Sequence, residues 1–339
     1  MTGSSTGQSN HATDGVNTVV SEGVIYAQRD AGAMKLDLYV PETDRRPPLV
    51  VYVHGGGWVM ETRKNTPDLE RYAAEWGVAF ASVSYRLAPI PEDADPEFQP
   101  GPDNPTPKGA FPAQIIDVKA AIRWLRDNAE TFGFDAEKVA VWGASAGGHL
   151  AALAATLDDV EDLAGEAYPE HAVEKRVAPE RSSALQALVA WYPVTDFLEL
   201  PHQAESVESI LLGGPIDDNP ERARVASPRA HVTPDNPPAL LMHGRADDVV
   251  PIRQSRIFAD ALAEHGVDAT LYEIHDEGHV FGAESERSAM DGLTADPRPA
   301  QSITATAHGD KGSTTDVLLD AVPPAGPKTI EQFLTRTIR

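Results

Sequence analysis

The chain contains no cysteine. That absence excludes a disulfide framework, a thiol nucleophile and a thiolate metal site, and leaves the cellular compartment open. No apolar run approaches the roughly 18 residues that a membrane-crossing helix needs. Met1 to Asp14 show neither the basic start nor the apolar middle of a secretory signal, so a cytoplasmic location is the expectation. Lysine is scarce: most of the 28 basic residues are arginine, and 52 acidic residues outweigh them to give a formal net charge of -24. A surface of that sign repels nucleic acid and anionic membranes, and neither is an expected partner. The acidic excess has two readings, adaptation to salt or compositional bias of the source genome. Internal repeats and interdomain linkers are also missing.

What is present is an alternation of short apolar runs with helical patterns, the signature of a parallel sheet wrapped by helices. The runs at Val24–Gln28, Lys35–Val40, Leu49–Val53, Val78–Ser84, Lys138–Trp142, Leu185–Trp191, Ala239–His243 and Thr270–Ile274 predict a mostly parallel, eight-stranded sheet. Those around Val51, Val139 and Leu241 are almost wholly apolar, as central strands buried on both faces must be. Helices are expected at Pro67–Trp76, Pro112–Thr131, Ala146–Thr156, Arg253–His265 and Lys328–Thr337. In the second of these, Ile115, Val118, Ile122 and Leu125 recur at three- and four-residue spacings and give one apolar face. The expected organisation is a disordered or extended tail over residues 1–22, then a single α/β domain over residues 23–339. Three segments break its rhythm: a Pro-, Asp- and Gly-rich loop at Ile90–Gly109, a cap-like stretch at Leu198–Thr233, and a polar insertion at residues 283–327.

Chemistry enters with Gly143-Ala144-Ser145-Ala146-Gly147, set between a strand pattern and an alanine-rich helix pattern. A serine on a tight strand-to-helix turn is strained, its hydroxyl exposed above the sheet, and the helix N-terminus favours negative charge beside it. The flanking glycines leave room for the neighbouring strand and helix. A second signal, His54-Gly55-Gly56-Gly57-Trp58, directly follows the strand at Leu49–Val53. Successive glycines let backbone N–H groups turn toward an oxyanion, so Gly56, Gly57 and Ala146 are the expected oxyanion-hole donors. His54, ahead of the glycines, is expected to brace the loop.

An acid and a histidine should follow the serine in that order, each after a late strand. The first such strand runs into His243-Gly244-Arg245-Ala246-Asp247-Asp248, which offers two adjacent carboxylates. The next precedes His275-Asp276-Glu277-Gly278-His279, where His279 stands in a loop free to aim at Ser145 and His275 sits at the strand edge. An imidazole in that place accepts the serine proton, and a carboxylate fixes its tautomer.

With these residues assembled, the chain resembles the α/β-hydrolase superfamily, in its ferulic-acid-esterase-like carboxylesterase branch akin to the hormone-sensitive-lipase group. The resemblance rests on Leu36–Tyr39, His54–Trp58, Ser84–Ala88, Phe111–Ala113, Gly143–Leu150, Pro193–Phe197, Leu212–Gly214, His243–Pro251 and Gly278-His279, from about Gly23 to Phe281. It implies the α/β-hydrolase fold with a small cap, and serine catalysis on small or aryl carboxylic esters through an acyl-enzyme, with no cofactor and no metal. The family places the acid four residues after the histidine of His-Gly-x-x-Asp, so the resemblance assigns that role to Asp247. Two departures, the proline-rich insertion after Ala88 and the long insertion after His279, reshape the routes to the site.

Around this centre, Trp58, Tyr192 and Phe197 are expected to line the substrate pocket, Arg86 to form a structural ion pair, and His149 to pack. An arylformamidase or amidase on the same scaffold, or a ligand-binding homologue without catalysis, are the competing functions. In the insertion, the runs at Ser302–Ala307 and Thr314–Leu319 flank a turn-rich stretch. They predict a hairpin, either a flap at the pocket mouth or a surface loop.

Overall fold

The computed structural model describes residues 8–11, 16–91, 107–173, 177–201, 206–295, 303–308, 314–316 and 325–339. In chain order its first elements are β1 (Gln8–His11), β2 (Thr18–Arg29), β3 (Gly32–Pro41), β4 (Leu49–Val53), α1 (Leu69–Trp76) and β5 (Ala79–Val83). Next come α2 (Ala113–Phe132), β6 (Val139–Ala144), α3 (Ala146–Thr156), β7 (Ala187–Trp191), α4 (Val207–Leu212) and α5 (Pro220–Ala226). The last third holds β8 (Ala239–Gly244), α6 (Arg253–Glu264), β9 (Ala269–Ile274), α7 (Glu286–Ala295), β10 (Ile303–His308), β11 (Thr314–Asp316) and α8 (Pro327–Ile338).

Successive side chains of a strand leave opposite faces of its sheet, and the central strands here are apolar on both. Leu49, Val51 and Val53 of β4 enter one core, while Val50 and Tyr52 enter the other. The same division separates Val139 and Val141 from Ala140 and Trp142 in β6, and Leu241 from Leu240 and Met242 in β8. Two helical layers cover the two faces. The apolar stripe of α2, with α3 and with Phe258 and Leu262 of α6, closes the first core. Tyr72 and Trp76 of α1, Met290 and Leu293 of α7, and Ile330, Phe333 and Leu334 of α8 close the second.

The strand order is β1-β2-β3-β5-β4-β6-β7-β8-β9-β10-β11. Pairing is parallel from β5 through β9 and antiparallel at both flanks. From β4 the chain first moves outward to β5, then crosses to β6 on the other side. A switch of direction like this opens a crevice at the carboxyl ends of the strands, where open α/β sheets place their ligands.

All eight expected strands form, but among the described residues the sheet has eleven. The three additions extend the sheet at its two edges. Gln8–His11, within the stretch expected as a tail, pairs with β2. At the other edge β10 pairs with β9, Ala305 opposite Tyr272, and β11 pairs with β10. The described part of the expected hairpin thus lengthens the sheet in its own plane; its turn and its outer ends lie outside the described residues, as does most of the Ile90–Gly109 loop. Helix α7 was not expected, because its apolar positions are only Ala289, Met290, Leu293 and the terminal Ala295, too few for a stripe to stand out; the first three are buried in the same core as α8. The Leu198–Thr233 stretch carries α4, α5 and short 3-10 turns. None of the helices among the described residues is long and apolar enough to cross a membrane.

Candidate functional site

Four loops meet above the carboxyl ends of β4, β6, β8 and β9. Ser145 joins β6 to α3 and adopts φ 54°, ψ −121°. The turn is this tight because its neighbours are glycine: a Cβ on Gly143 would overlap the Gly147 carbonyl, and one on Gly147 would overlap the carbonyls of Val53 and His54. The Ser145 N–H donates to the Trp191 carbonyl at 3.0 Å, which fixes the turn to β7. Left-handed backbone at a non-glycine residue costs on the order of 1–3 kcal/mol and persists only where the surroundings enforce it. Among the described residues, every positive-φ non-glycine residue apart from Ala178, namely Trp58, Glu61, Ser145, Tyr192, Val280 and Phe281, belongs to this site or its supports.

His279 Nε2 lies 3.1 Å from Ser145 Oγ, and its Nδ1 lies 2.8 Å from Asp247 Oδ2. A carboxylate can only accept, so Nδ1 carries the proton and Nε2 is left as an acceptor facing the serine hydroxyl. The other oxygen of Asp247 accepts the N–H groups of Val249 at 3.0 Å and Val250 at 2.8 Å. Burial pushes the Asp247 carboxyl up, but hydrogen bonds from His243 and His279 outweigh it and hold the group well below the usual carboxylate range. Asp247 is buried and Asp248 exposed, so of the two adjacent carboxylates it is Asp247 that reaches the histidine. His275 turns away, its Nε2 2.8 Å from Thr304 Oγ1 on β10.

His243 is a partner that sequence reasoning passed over. Its Nε2 stands 2.8 Å from the Val250 carbonyl and 3.3 Å from Asp247 Oδ2, and its Nδ1 is 2.7 Å from Ser255 Oγ. The signal was its place four residues before Asp247, on a strand that buries it beneath the turn.

Gly56 at φ 80° and Gly57 at φ 56° carry the loop after β4 past Ser145, opposite Ala146 at the start of α3. A side chain on Gly56 would meet the Met60 carbonyl, whose own N–H is bonded to the Gly56 carbonyl at 3.0 Å. Val207, the first residue of α4, lies against Gly57 from outside. His54 braces the loop from within: it stacks on Tyr85 at 4.3 Å, and the Tyr85 hydroxyl donates to the His54 and Gly55 carbonyls. Burial drives His54 down to about 3, so it stays neutral.

The three aromatic residues expected at the pocket are almost wholly enclosed, Trp58 at 2 % exposure and Tyr192 and Phe197 at 0 %. Trp58 Nε1 donates to His149 Nδ1 at 3.0 Å, His149 Nε2 bonds the Ala226 carbonyl at 2.8 Å, and the Phe197 ring lies against both. Burial lowers His149 to about 4, which keeps it the neutral link in this chain. The Tyr192 ring packs on His279 at 4.7 Å. These contacts hold the glycine loop and the His279 imidazole from behind. Below the site Arg86 and Arg29 both bond Asp117, at 2.7 and 3.0 Å, in the ion pair expected of Arg86. Among the described residues no three His, Asp or Glu side chains gather as a metal site would require.

The strand order, the strained serine on its elbow and the glycine loop decide the fold. It is the α/β-hydrolase fold. The family described as BD-FAE matches residues 104–262, and the Carboxylesterase family matches residues 8–172. Esterase LipC of Mycobacterium tuberculosis is 34% identical over 244 residues, which are 69% of this chain and 53% of that protein. The isoprenylcysteine alpha-carbonyl methylesterase ICME of Arabidopsis thaliana is 24% identical over 331 residues, 94% of this chain and 69% of its own length. The chain thus spans about half the length of the mycobacterial relatives. Among solved structures, a truncated carbohydrate esterase from gut microbiota superposes with a TM-score of 0.67 at 26% identity, covering 85% of this chain and 98% of that one. The esterase Est2 of Thermogutta terrifontis gives 0.59 at 25% identity, covering 81% and 89%.

Proposed function

We propose that this α/β hydrolase is a serine carboxylesterase acting on small or aryl esters through an acyl-enzyme. The observation that carries the reading is the continuous relay from Ser145 Oγ through His279 to Asp247, at 3.1 and 2.8 Å, on a strained elbow. In the first step Ser145 Oγ attacks the ester carbonyl while His279 Nε2 takes its proton. The N–H groups of Gly56, Gly57 and Ala146 receive the developing oxyanion, and His279 returns the proton to the departing alcohol. Water, deprotonated by His279, then attacks the acyl-Ser145 ester; the carboxylic acid leaves and Ser145 recovers its proton. Asp247 holds the imidazole in the required tautomer throughout and stabilises its charged form.

The esterase names borne by the relatives support ester over amide as the scissile bond. Val207 over Gly57 favours short acyl groups, and α4 forms the cap side of the site. A net charge of -24 disfavours anionic substrates and nucleic acid. A panel of p-nitrophenyl esters of increasing acyl length, feruloyl esters and N-formylkynurenine tests the reading. Turnover of short p-nitrophenyl esters well above that of N-formylkynurenine is expected; the reverse order would make the protein an arylformamidase.

A further inference from the structure

Two buried carboxyl groups lie directly beneath the oxyanion loop, and the relay above uses neither. Glu286 opens α7 and is 4 % exposed. Its Oε1 stands 2.9 Å from the point a Cβ on Gly55 would occupy, a point also 3.2 Å from the Ala144 carbonyl and 3.5 Å from Ser145 Cβ. Glu61 reaches the same residue: its carboxyl accepts the Gly55 N–H. A φ of 68° turns Glu61 back under the loop, its Cγ 2.9 Å from the Cβ position of Gly56. Both carboxyls therefore converge on Gly55, the residue that links the end of β4 to the two glycines of the oxyanion hole.

Groups facing the pair come from every surrounding element. Tyr52 on β4, Tyr85 after β5 and Tyr192 after β7 each interact electrostatically with both carboxyls, and His279 after β9 interacts with Glu286. The hydroxyls of Tyr52 and Tyr192 are fully buried and without a hydrogen-bond partner among the described residues. Burial and then the charge of Glu286 push Glu61 up to about 8, and burial pushes Glu286 up in turn. Repulsion between two carboxylates gathered on one glycine in a dry setting favours one proton between them at neutral pH.

We propose that Glu61 and Glu286 share a single proton and act as positioning residues for the oxyanion hole, so that loss of this proton switches the enzyme off at alkaline pH. This rests on the serine-esterase reading. With one proton between them, the pair holds the Gly55 N–H and keeps Gly56 and Gly57 turned toward the substrate. When the proton leaves, a second negative charge arises under the loop. It repels its neighbour, loosens the grip on Gly55, and opposes the oxyanion forming above Ser145. The sign follows: activity that depends on the shared proton is present at neutral pH and falls as pH rises through the titration of the pair.

The test joins a pH profile to a direct reading of the proton. In the wild-type enzyme, the infrared carbonyl stretch of a buried protonated carboxyl should be present at pH 7 and disappear in parallel with the alkaline fall of kcat/KM for phenyl acetate. In Glu61→Gln and Glu286→Gln, neither of which can release that proton, the alkaline limb should move up by about one pH unit or more. Glu61→Ala should lower kcat more than it raises KM, with Glu61→Gln restoring part of the loss. A wild-type band that is absent at pH 7, or an unmoved alkaline limb in folded Gln variants, would overturn the proposal. The infrared arm needs no variant, so it decides the matter even if both substitutions unfold the chain. Failure of the esterase reading looks different: Ser145 would then resist fluorophosphonate labelling at every pH.

Discussion

Replacing Asp247 by asparagine isolates the role of one hydrogen bond. The carboxylate accepts from Val249 and Val250 on one oxygen, and from His279 and His243 on the other. In Asp247→Asn the carbonyl oxygen of the amide must stay with the two backbone N–H groups. The NH2 group then takes the place of Oδ2 and meets the Nδ1–H of His279, donor against donor. His279 escapes by carrying its proton on Nε2 instead, which presents an N–H to Ser145 Oγ where an acceptor is needed. Loss of the correct tautomer in a triad of this kind costs on the order of 10⁴ in kcat, which is about 5.4 kcal/mol of transition-state stabilisation. The neighbouring Asp248 is exposed and has no hydrogen bond to the relay, so Asp248→Asn should change kcat by less than about threefold. Steady-state hydrolysis of p-nitrophenyl acetate by the two variants, with circular dichroism to verify folding, measures both numbers. Retention of more than about a tenth of wild-type kcat by folded Asp247→Asn would refute the tautomer argument, as would an equal loss in Asp248→Asn.

The same carboxyl makes stability depend on pH. Its folded pKa is depressed, so the stabilisation is complete above about pH 5 and lost as pH falls through the carboxylate range; the melting temperature of Asp247→Asn should decline less between pH 5 and 3 than that of wild type. Gly56→Ala places a side chain at φ 80° against the Met60 carbonyl and displaces one oxyanion donor; kcat should fall on the order of 10²-fold with KM little changed, and a larger effect on KM would point to a binding role instead. Trp58→Phe removes the N–H that satisfies buried His149, so chemical denaturation should show a loss of about 1–3 kcal/mol, while an unchanged midpoint would mean the link is dispensable. If the charge of -24 reflects adaptation to salt, the melting temperature should climb toward molar potassium chloride, where the Debye length shrinks to about 3 Å; a flat profile would favour genomic bias.

Much of this was legible in the residues because the chemistry leaves little choice. Gly143 and Gly147 could be read as steric requirements of the elbow, since their places are filled by backbone of the adjoining strand and helix. The eight inner strands announced themselves through apolar runs, as strands buried on both faces do. At one edge the β-prone runs Ser302–Ala307 and Thr314–Leu319 predict the hairpin of β10 and β11, though not its pairing with β9. β1 did not announce itself: it is short and polar, and its existence depends on a neighbour offering free N–H and C=O groups, which local pattern does not record. Nor did the supports of the site. Glu61 and Glu286 are 225 positions apart, ordinary acidic residues among 52, and only folding brings both to Gly55. The aromatic residues illustrate the opposite error of emphasis: Trp58 and Phe197 stand next to motif residues in sequence, yet the structure gives them packing and one hydrogen bond to His149 rather than open surface.

The central claim is that Ser145 is the nucleophile, and it is tested most directly by trapping. After reaction with a fluorophosphonate, intact-mass spectrometry should show one adduct per chain, and peptide mapping should place it on Ser145. Ser145→Ala should take no label and should lose kcat on the order of a millionfold while keeping the wild-type circular dichroism spectrum. An adduct on another residue, or ester turnover surviving in folded Ser145→Ala, would contradict the account.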